Sequence, residues 1–266
     1  RGLSDTELLS KLRAQIHSLE KHTEKRNYTL NCNFHDAVYM QSLYEEAKKR
    51  EIISSDEISW FERIFYGSIT PVSDSDLQNS VNTTYSNNII DFLKKRRSVR
   101  RWNGKPISNE EFEKIIDGAR YAPSSCNRQP CHYILTRNKE SIELLSKIRK
   151  QSFIGNAPSC IIVLVDLRTY NPSEIEQMPQ WDAGAATQNI LLVAHYLNLG
   201  ACWVNATNFN KKEIKEFFSI PEDYDIAAIV PIGHTDQIPT APGRRDIKSM
   251  ISYEKFGSVE KPYHEQ

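Results

Sequence analysis

An excess of charge of either sign is missing from this sequence of 266 residues: 34 lysines and arginines stand against 34 aspartates and glutamates. A nucleic-acid binder usually carries a basic surplus over its binding domain, so that class is disfavoured. Long apolar runs are missing too. Stretches such as Cys160 to Val165 are far shorter than the roughly 20 residues that cross a bilayer as a helix, and no membrane association is expected. Glycine-rich phosphate cradles are absent. Neither G-x-G-x-x-G nor G-x-x-x-x-G-K-S/T occurs, which disfavours a Rossmann dinucleotide site and a P-loop. There is no G-x-S-x-G elbow and no H-E-x-x-H helix, so the common hydrolase layouts fall away. Cysteine is sparse. Cys32, Cys126, Cys131, Cys160 and Cys202 are odd in number and show no disulfide framework, as suits reduced thiols in a cytoplasmic protein. Cys126, Cys131 and His132 lack further ligands at matched spacing, so no metal site is expected. The sequence starts at Arg1 rather than Met, which leaves an upstream leader or anchor open.

What is present is periodicity. Residues 4–66 read as helical. Ser4 and Glu7 have capping-box spacing, and Leu8, Leu12, Ile16 and Leu19 share a face. A second segment, about Phe34 to Arg50, carries Val38, Leu43 and Ala47 on its apolar stripe. A third begins at Ser54 with Glu57 at the box position, buries Ile58, Phe61 and Phe65, and stops at Gly67. Residues 68–86 are polar and aperiodic and read as a linker. The expected division is a helical extension with its linker over 1–86 and a main domain over 87–266.

In the main domain, Ser108 and Glu111 form another capping box, and Phe112, Ile115, Ile116 and Ala119 follow at helical spacing. Strands are expected at 132–136, 160–165 and 226–232, with a short extended piece at 202–204. Helices are expected at 139–150, at 181–199 with Gly200 as the stop, and at 210–218. Pro231 suggests a sheet edge or a strand end. His195, inside the long helix, reads as a packed core residue. Strands alternating with helices predict a layered α+β or α/β domain.

Three stretches carry chemistry. The densest is Lys94-Lys95-Arg96-Arg97-Ser98-Val99-Arg100-Arg101-Trp102, after a short helical segment. It reads as a solvated basic turn, a nucleic-acid contact, or a pocket in which Arg forks and a Ser hydroxyl converge on one phosphate monoester. Without glycine cradles, a phosphate has to be held by side chains. The second stretch, 122–130, sets Ser124, Ser125, Asn127 and Gln129 between Pro123 and Pro130. These groups either read a flat heterocycle edge or satisfy the loop's own backbone. The third is Pro242-Gly243-Arg244-Arg245, a second Arg pair that either joins the same phosphate or is solvated.

In this order, Arg96-Arg97-Ser98-Val99-Arg100 and Pro123-Ser124-Ser125-Cys126-Asn127-Arg128-Gln129-Pro130 resemble the signature of the nitroreductase-like flavoproteins. Asp182-Ala183-Gly184 through Gln188-Asn189, Leu199-Gly200-Ala201-Cys202-Trp203-Val204, Ile220-Pro221 and Ala228-Ile229-Val230-Pro231-Ile232-Gly233 continue the resemblance over about residues 88–250. It implies an α+β fold with a mostly antiparallel sheet flanked by helices, and an intertwined homodimer with an FMN at each shared interface. By that resemblance Arg96, Arg97, Ser98 and Arg100 would bind the FMN phosphate and ribityl chain, joined by Arg244 and Arg245. Lys94, Lys95 and Arg101 are read as solvated. Pro123, Ser124, Ser125, Asn127 and Gln129 would meet the flavin, some of them from the partner subunit. Backbone near Val204 and Asn205 would face the ring, with Asn205 where many relatives carry glycine. The implied activity is hydride transfer between NAD(P)H and a small organic acceptor, nitroaromatic- or quinone-like in vitro, by a ping-pong mechanism with no protein acid or base. Alternatives are a reductive dehalogenase of the iodotyrosine-deiodinase kind and a non-catalytic flavin binder. Cys126 and Cys202 are read as packing residues.

Overall fold

The structure is a computed structural model. It describes residues 34–53, 55–67, 89–206 and 211–259, together with positions 5, 8, 9, 11, 12, 15 and 16. The chain forms two compact units, residues 1–74 with 241–266, and residues 75–240.

In the first unit, helices α1 (Phe34–Lys49) and α2 (Ser55–Gly67) share an apolar cluster with Leu8, Leu9, Leu12 and Ile16. Leu19 and the caps at Ser4, Glu7 and Ser54 lie outside the described residues. The α1 face is set by Met40, Leu43, Tyr44 and Ala47, spaced i, i+3, i+4 and i+7. Val38 stands two residues, about 200° of helix rotation, before Met40. It is therefore 52% exposed rather than on the buried stripe. Phe61 is fully buried, stacked on Tyr44 at 3.8 Å and on Phe65 at 5.2 Å between ring centroids. The Tyr44 hydroxyl donates to Glu62, so the ring is buried without stranding its polar tip.

The second unit runs α3 (Ile89–Lys95), α4 (Asn109–Ala119), β1 (Cys131–Thr136), α5 (Lys139–Arg149), β2 (Ser159–Asp166), α6 (Met178–Tyr196), β3 (Leu199–Ala201), β4 (Val204–Asn205), α7 (Lys211–Phe217) and β5 (Tyr224–His234). The strands make one antiparallel sheet in the order β1-β2-β5-β3, with β4 also on β5. Strand period 2 splits the core in two. Ile161, Val163 and Val165 face a cluster with α4 and α6, while Cys160, Ile162 and Leu164 face one with α5 and α7. This is the expected α+β architecture. The Ser108 capping box at the head of α4 is formed in both directions.

Two local expectations are corrected. Gly200 is not the stop of α6. The helix ends at Tyr196, Asn198 takes the left-handed turn at φ 57°, and Gly200 lies inside β3. Asn tolerates that conformation better than most residues. Pro231 does not mark an edge or a strand end, because β5 is central and Pro231 pairs with Cys160. Its carbonyl accepts from the Cys202 amide, so its nitrogen faces the same side. There the pairing passes from Ala201 in β3 to Val204 in β4, and no ladder donor is needed.

Gly200 has a different task. A Cβ there would lie 2.6 Å from Val99 Cγ1 and 2.9 Å from Thr235 Cγ2. Only glycine lets the segment after α3 lie this close on β3. Gly200→Ala is expected to lower stability by about 1–3 kcal/mol, the usual cost of overpacking. Chemical denaturation measures it, and an unchanged midpoint would show that Val99 moves aside freely.

Candidate functional site

The short α3 ends in Lys94 and Lys95, a favourable placement of cations at a helix C-terminus. Arg97 turns back on this end. Its Nη1 donates to the carbonyls of Lys94 and Arg96, acceptors that a terminating helix leaves open. The chain then runs extended along β3. Val99 N–H donates to Ala201 O at 3.0 Å, Trp102 Nε1 to Gly200 O at 2.8 Å, and Asn103 N–H to His234 O at 3.0 Å. The Thr235 hydroxyl donates to Arg101 O at 2.9 Å. Val99 is buried, which fixes the register of the residues on either side. Arg100 is only 9% exposed, with its guanidinium carbon 5.7 Å from the Phe153 ring centroid. The run is thus a segment docked on the sheet by hydrogen bonds, not a solvated turn. Of the cations expected to be solvated, Lys94 is exposed but Lys95 and Arg101 are half-buried.

Lys95, Arg96, Arg97, His195, Asn198 and Thr235 line an open pocket beside this run. His195 is therefore half-buried at a pocket wall rather than packed in the core. Its ring lies 4.8 Å from that of Phe92. Burial, then the positive charges of Arg96, Arg97 and Lys95, hold its pKa below the ordinary histidine value, against a hydrogen bond to the Phe92 backbone that raises it. The sign follows from which state protonates first. As pH falls, the unfolded chain takes up this proton before the folded one, so stability is full above about pH 6.5 and declines below it. His195→Gln is expected to flatten the fall of Tm on the acid side of about pH 6.5. Parallel Tm–pH curves for variant and wild type would remove His195 as the cause.

The 122–130 loop contains a 3₁₀ turn, Ser125–Asn127, and two non-glycine residues in the left-handed region, Cys126 at φ 51° and Gln129 at φ 50°. Its hydroxyls are used within the loop. Ser124 Oγ accepts from Gln129 N–H at 3.0 Å, and Ser125 Oγ accepts from Arg128 Nη1 at 2.7 Å. Each hydroxyl keeps its own hydrogen to donate. The Asn127 side chain lies outside the described residues. Pro123, Ser124 and Gln129 line a second, larger open pocket, of roughly 1200 Å³ with its solvent mouth, together with Phe112, Tyr133 and Asp182. The two pockets share no residue, so a single chain gathers the basic run and the loop on separate surfaces.

Val204 is buried, and Asn205 is exposed with its Oδ1 accepting from Arg149 Nη2 at 3.2 Å. A glycine at 205 could not make that bond. Arg244 and Arg245 belong to the first compact unit, where Arg244 Nη1 donates to Gly243 O and Arg245 Nη2 to Ser249 O. Cys202 is buried as expected for packing, but Cys126 is exposed. Burial pushes the Cys131 thiol up to about 11, which keeps it protonated near neutrality. Among the described residues no His, Cys, Asp and Glu group could hold a metal ion, and no helix is long and apolar enough to cross a membrane.

Sequence reasoning quoted Asp182 and Arg128 only as members of matching stretches, without a role, and missed Tyr170 and Glu174; all four lie against the loop. One signal was available: Asp182 is the only carboxylate in the otherwise apolar or neutral α6.

The Nitroreductase family profile matches residues 93–152 and 143–234, more than half of the chain. The chain belongs to the nitroreductase family. A nitroreductase-family relative from Methanothermobacter thermautotrophicus, provisionally named an NADH dehydrogenase/NAD(P)H nitroreductase, is 33% identical over 60% of this chain and 82% of its own. The NADPH-flavin oxidoreductase of Vibrio harveyi is 26% identical over 58% of this chain and 68% of its own. Among solved structures, an FMN-dependent nitroreductase of Clostridium difficile matches with a TM-score of 0.55 and 29% identity, covering 63% of this chain and 99% of that one. A protein of Desulfovibrio desulfuricans, solved in complex with FMN and provisionally named a nitroreductase, matches with a TM-score of 0.56 and 28% identity, over 65% and 99%. The residues matched by the family profile fall within the second unit.

Proposed function

We propose that this chain is an FMN-dependent oxidoreductase that passes a hydride from NAD(P)H to a small organic acceptor, nitroaromatic- or quinone-like in vitro, in a ping-pong cycle. The observation that carries this reading is the run Arg96-Arg97-Ser98-Val99-Arg100 held along β3, with Val99 buried and Arg100 nearly so. Three guanidinium groups and a hydroxyl on one docked segment suit a phosphate monoester. The relatives named for FMN and flavin, and the FMN complex, support the choice of cofactor.

When bound, FMN supplies the two-electron chemistry. The protein's part is to bind and orient. Arg96, Arg97, Ser98 and Arg100 hold the phosphate and ribityl chain, and Arg244 and Arg245 join them. Val204 and Asn205 offer backbone to the ring, with Asn205 steadied by Arg149. Pro123, Ser124, Ser125, Asn127 and Gln129 reach the flavin from the second chain of a homodimer. The separation of the basic run from the loop on one chain supports that shared site. The functional division keeps 1–86 as an extension and 87–266 as the flavin-binding domain, acting in the cytoplasm.

The test is direct. Purified protein should be yellow, or become so on addition of FMN, and NADH or NADPH should bleach the visible bands. A colourless protein that retains no added FMN overturns the reading.

A further inference from the structure

Two residues of the 122–130 loop hold left-handed backbone without being glycine. Such conformations persist only where the surroundings over-determine them. The surroundings here form a closed ring of contacts. Asp182, 7% exposed on α6, is placed under the loop. Its Oδ1 accepts from Ser125 N–H at 3.0 Å, and its Oδ2 accepts from the Tyr170 hydroxyl at 2.7 Å. Tyr170 is itself buried, and the Arg128 guanidinium carbon lies 5.4 Å from its ring centroid. Arg128 closes the ring, donating from Nη1 to Ser125 Oγ at 2.7 Å. Its Nη2 donates to both Glu174 oxygens, at 3.0 and 3.3 Å. Glu174 Oε2 in turn accepts from Asn171 N–H at 2.9 Å.

A carboxylate is the right group at 182. Both neighbours are donors, and only a carboxylate offers two acceptor oxygens without a donor of its own. At its buried end, Asp182 and Tyr170, the network specifies one geometry because a broken bond strands a group away from water, while Arg128 and Glu174 are partly exposed. The Arg128–Glu174 fork adds the directional part, since a planar guanidinium fixes orientation as well as distance.

We propose that Asp182 and Tyr170, backed by the Arg128–Glu174 pair, are positioning residues that pre-form the 122–130 loop for the flavin. The proposal rests on the reading of this chain as an FMN protein. They act through Ser125, whose amide and hydroxyl they hold, beside the Gln129 N–H to Ser124 Oγ bond that closes the loop on itself. Binding then does not have to order the loop, which favours affinity and a single flavin orientation.

The test uses the full chain and two near-isosteric variants, Tyr170→Phe and Asp182→Asn, with Glu174→Gln as a third in case either folds poorly. Three quantities are read: amide hydrogen exchange across the loop without flavin, FMN affinity by fluorescence titration, and visible circular dichroism of the flavin at saturation. Exchange at 124–131 should rise about tenfold or more while β2 and β5 stay protected. The FMN Kd should rise about tenfold, and the flavin dichroism should change. A purely structural role would lower Tm and leave the dichroism of saturated flavin as in wild type, and that result overturns the proposal. So does loop exchange that matches wild type. If wild type takes up no FMN, the functional reading falls and the positioning role with it. The exchange data would then still say whether the ring holds the loop, so the two failures can be told apart.

Discussion

Replacing Arg97 by alanine is expected to weaken FMN binding by about 1.5–3 kcal/mol, the worth of a charge-assisted hydrogen bond. That is roughly a 10- to 150-fold rise in Kd. Fluorescence titration of flavin-free protein measures it. Arg97 also caps α3 through Lys94 O and Arg96 O, so alanine removes a helix cap as well as a charge. The two losses separate in a second variant. Arg97→Lys keeps the charge and loses the planar fork. If phosphate attraction dominates, lysine should recover most of the affinity. If the cap dominates, both variants should show the same fall in Tm without flavin. Flavin affinity unchanged in Arg97→Ala would remove Arg97 from the site.

Phe61→Ala is expected to cost about 3–5 kcal/mol of stability, among the largest single effects in the chain. Phe61 is fully buried and stacks on both Tyr44 and Phe65, so truncation removes the ring and leaves a cavity between α1 and α2. Leu8, Leu12 and Ile16 belong to the same cluster. The loss should appear as a lower midpoint in chemical denaturation with the slope retained. A loss below about 1 kcal/mol would mean that the helices close over the gap.

Part of this was legible in the chain itself. The capping box of Ser108 and Glu111 needs residues only three apart, and it forms as read. The continuous apolar run of β2 and the apolar spacing in α4 are equally local, and the first is buried on both faces, the second on one. The cationic run stood out as a charge cluster in a neutral protein, and the order of the motifs pointed to the family.

Other features depend on partners far along the chain. Val38 lies on an apolar-looking stripe, but the choice of buried face on α1 was made by packing against α2 and against Leu8, Leu9, Leu12 and Ile16. Gly200 looked like a helix stop because a glycine after a long helix usually is one. Its real constraint is Val99, about a hundred residues earlier, whose side chain occupies the space of its Cβ. Pro231 argued for an edge on local grounds, and only the gap between β3 and β4 makes it acceptable in a central strand.

What the sequence alone determined is the family signature, the local caps, the strand and helix periodicity, and the absence of the common glycine cradles. Each rests on neighbours within a turn or two. The tertiary structure decided what those neighbours cannot encode. Asp182 meets Ser125 across 57 positions and Trp102 meets Gly200 O across 98. It docked the basic run on the sheet, brought His195 to a pocket wall, and placed a ring of polar contacts under the loop. The physical reason is that burial and hydrogen-bond satisfaction belong to pairs of segments, and pairs exist only once the chain has folded.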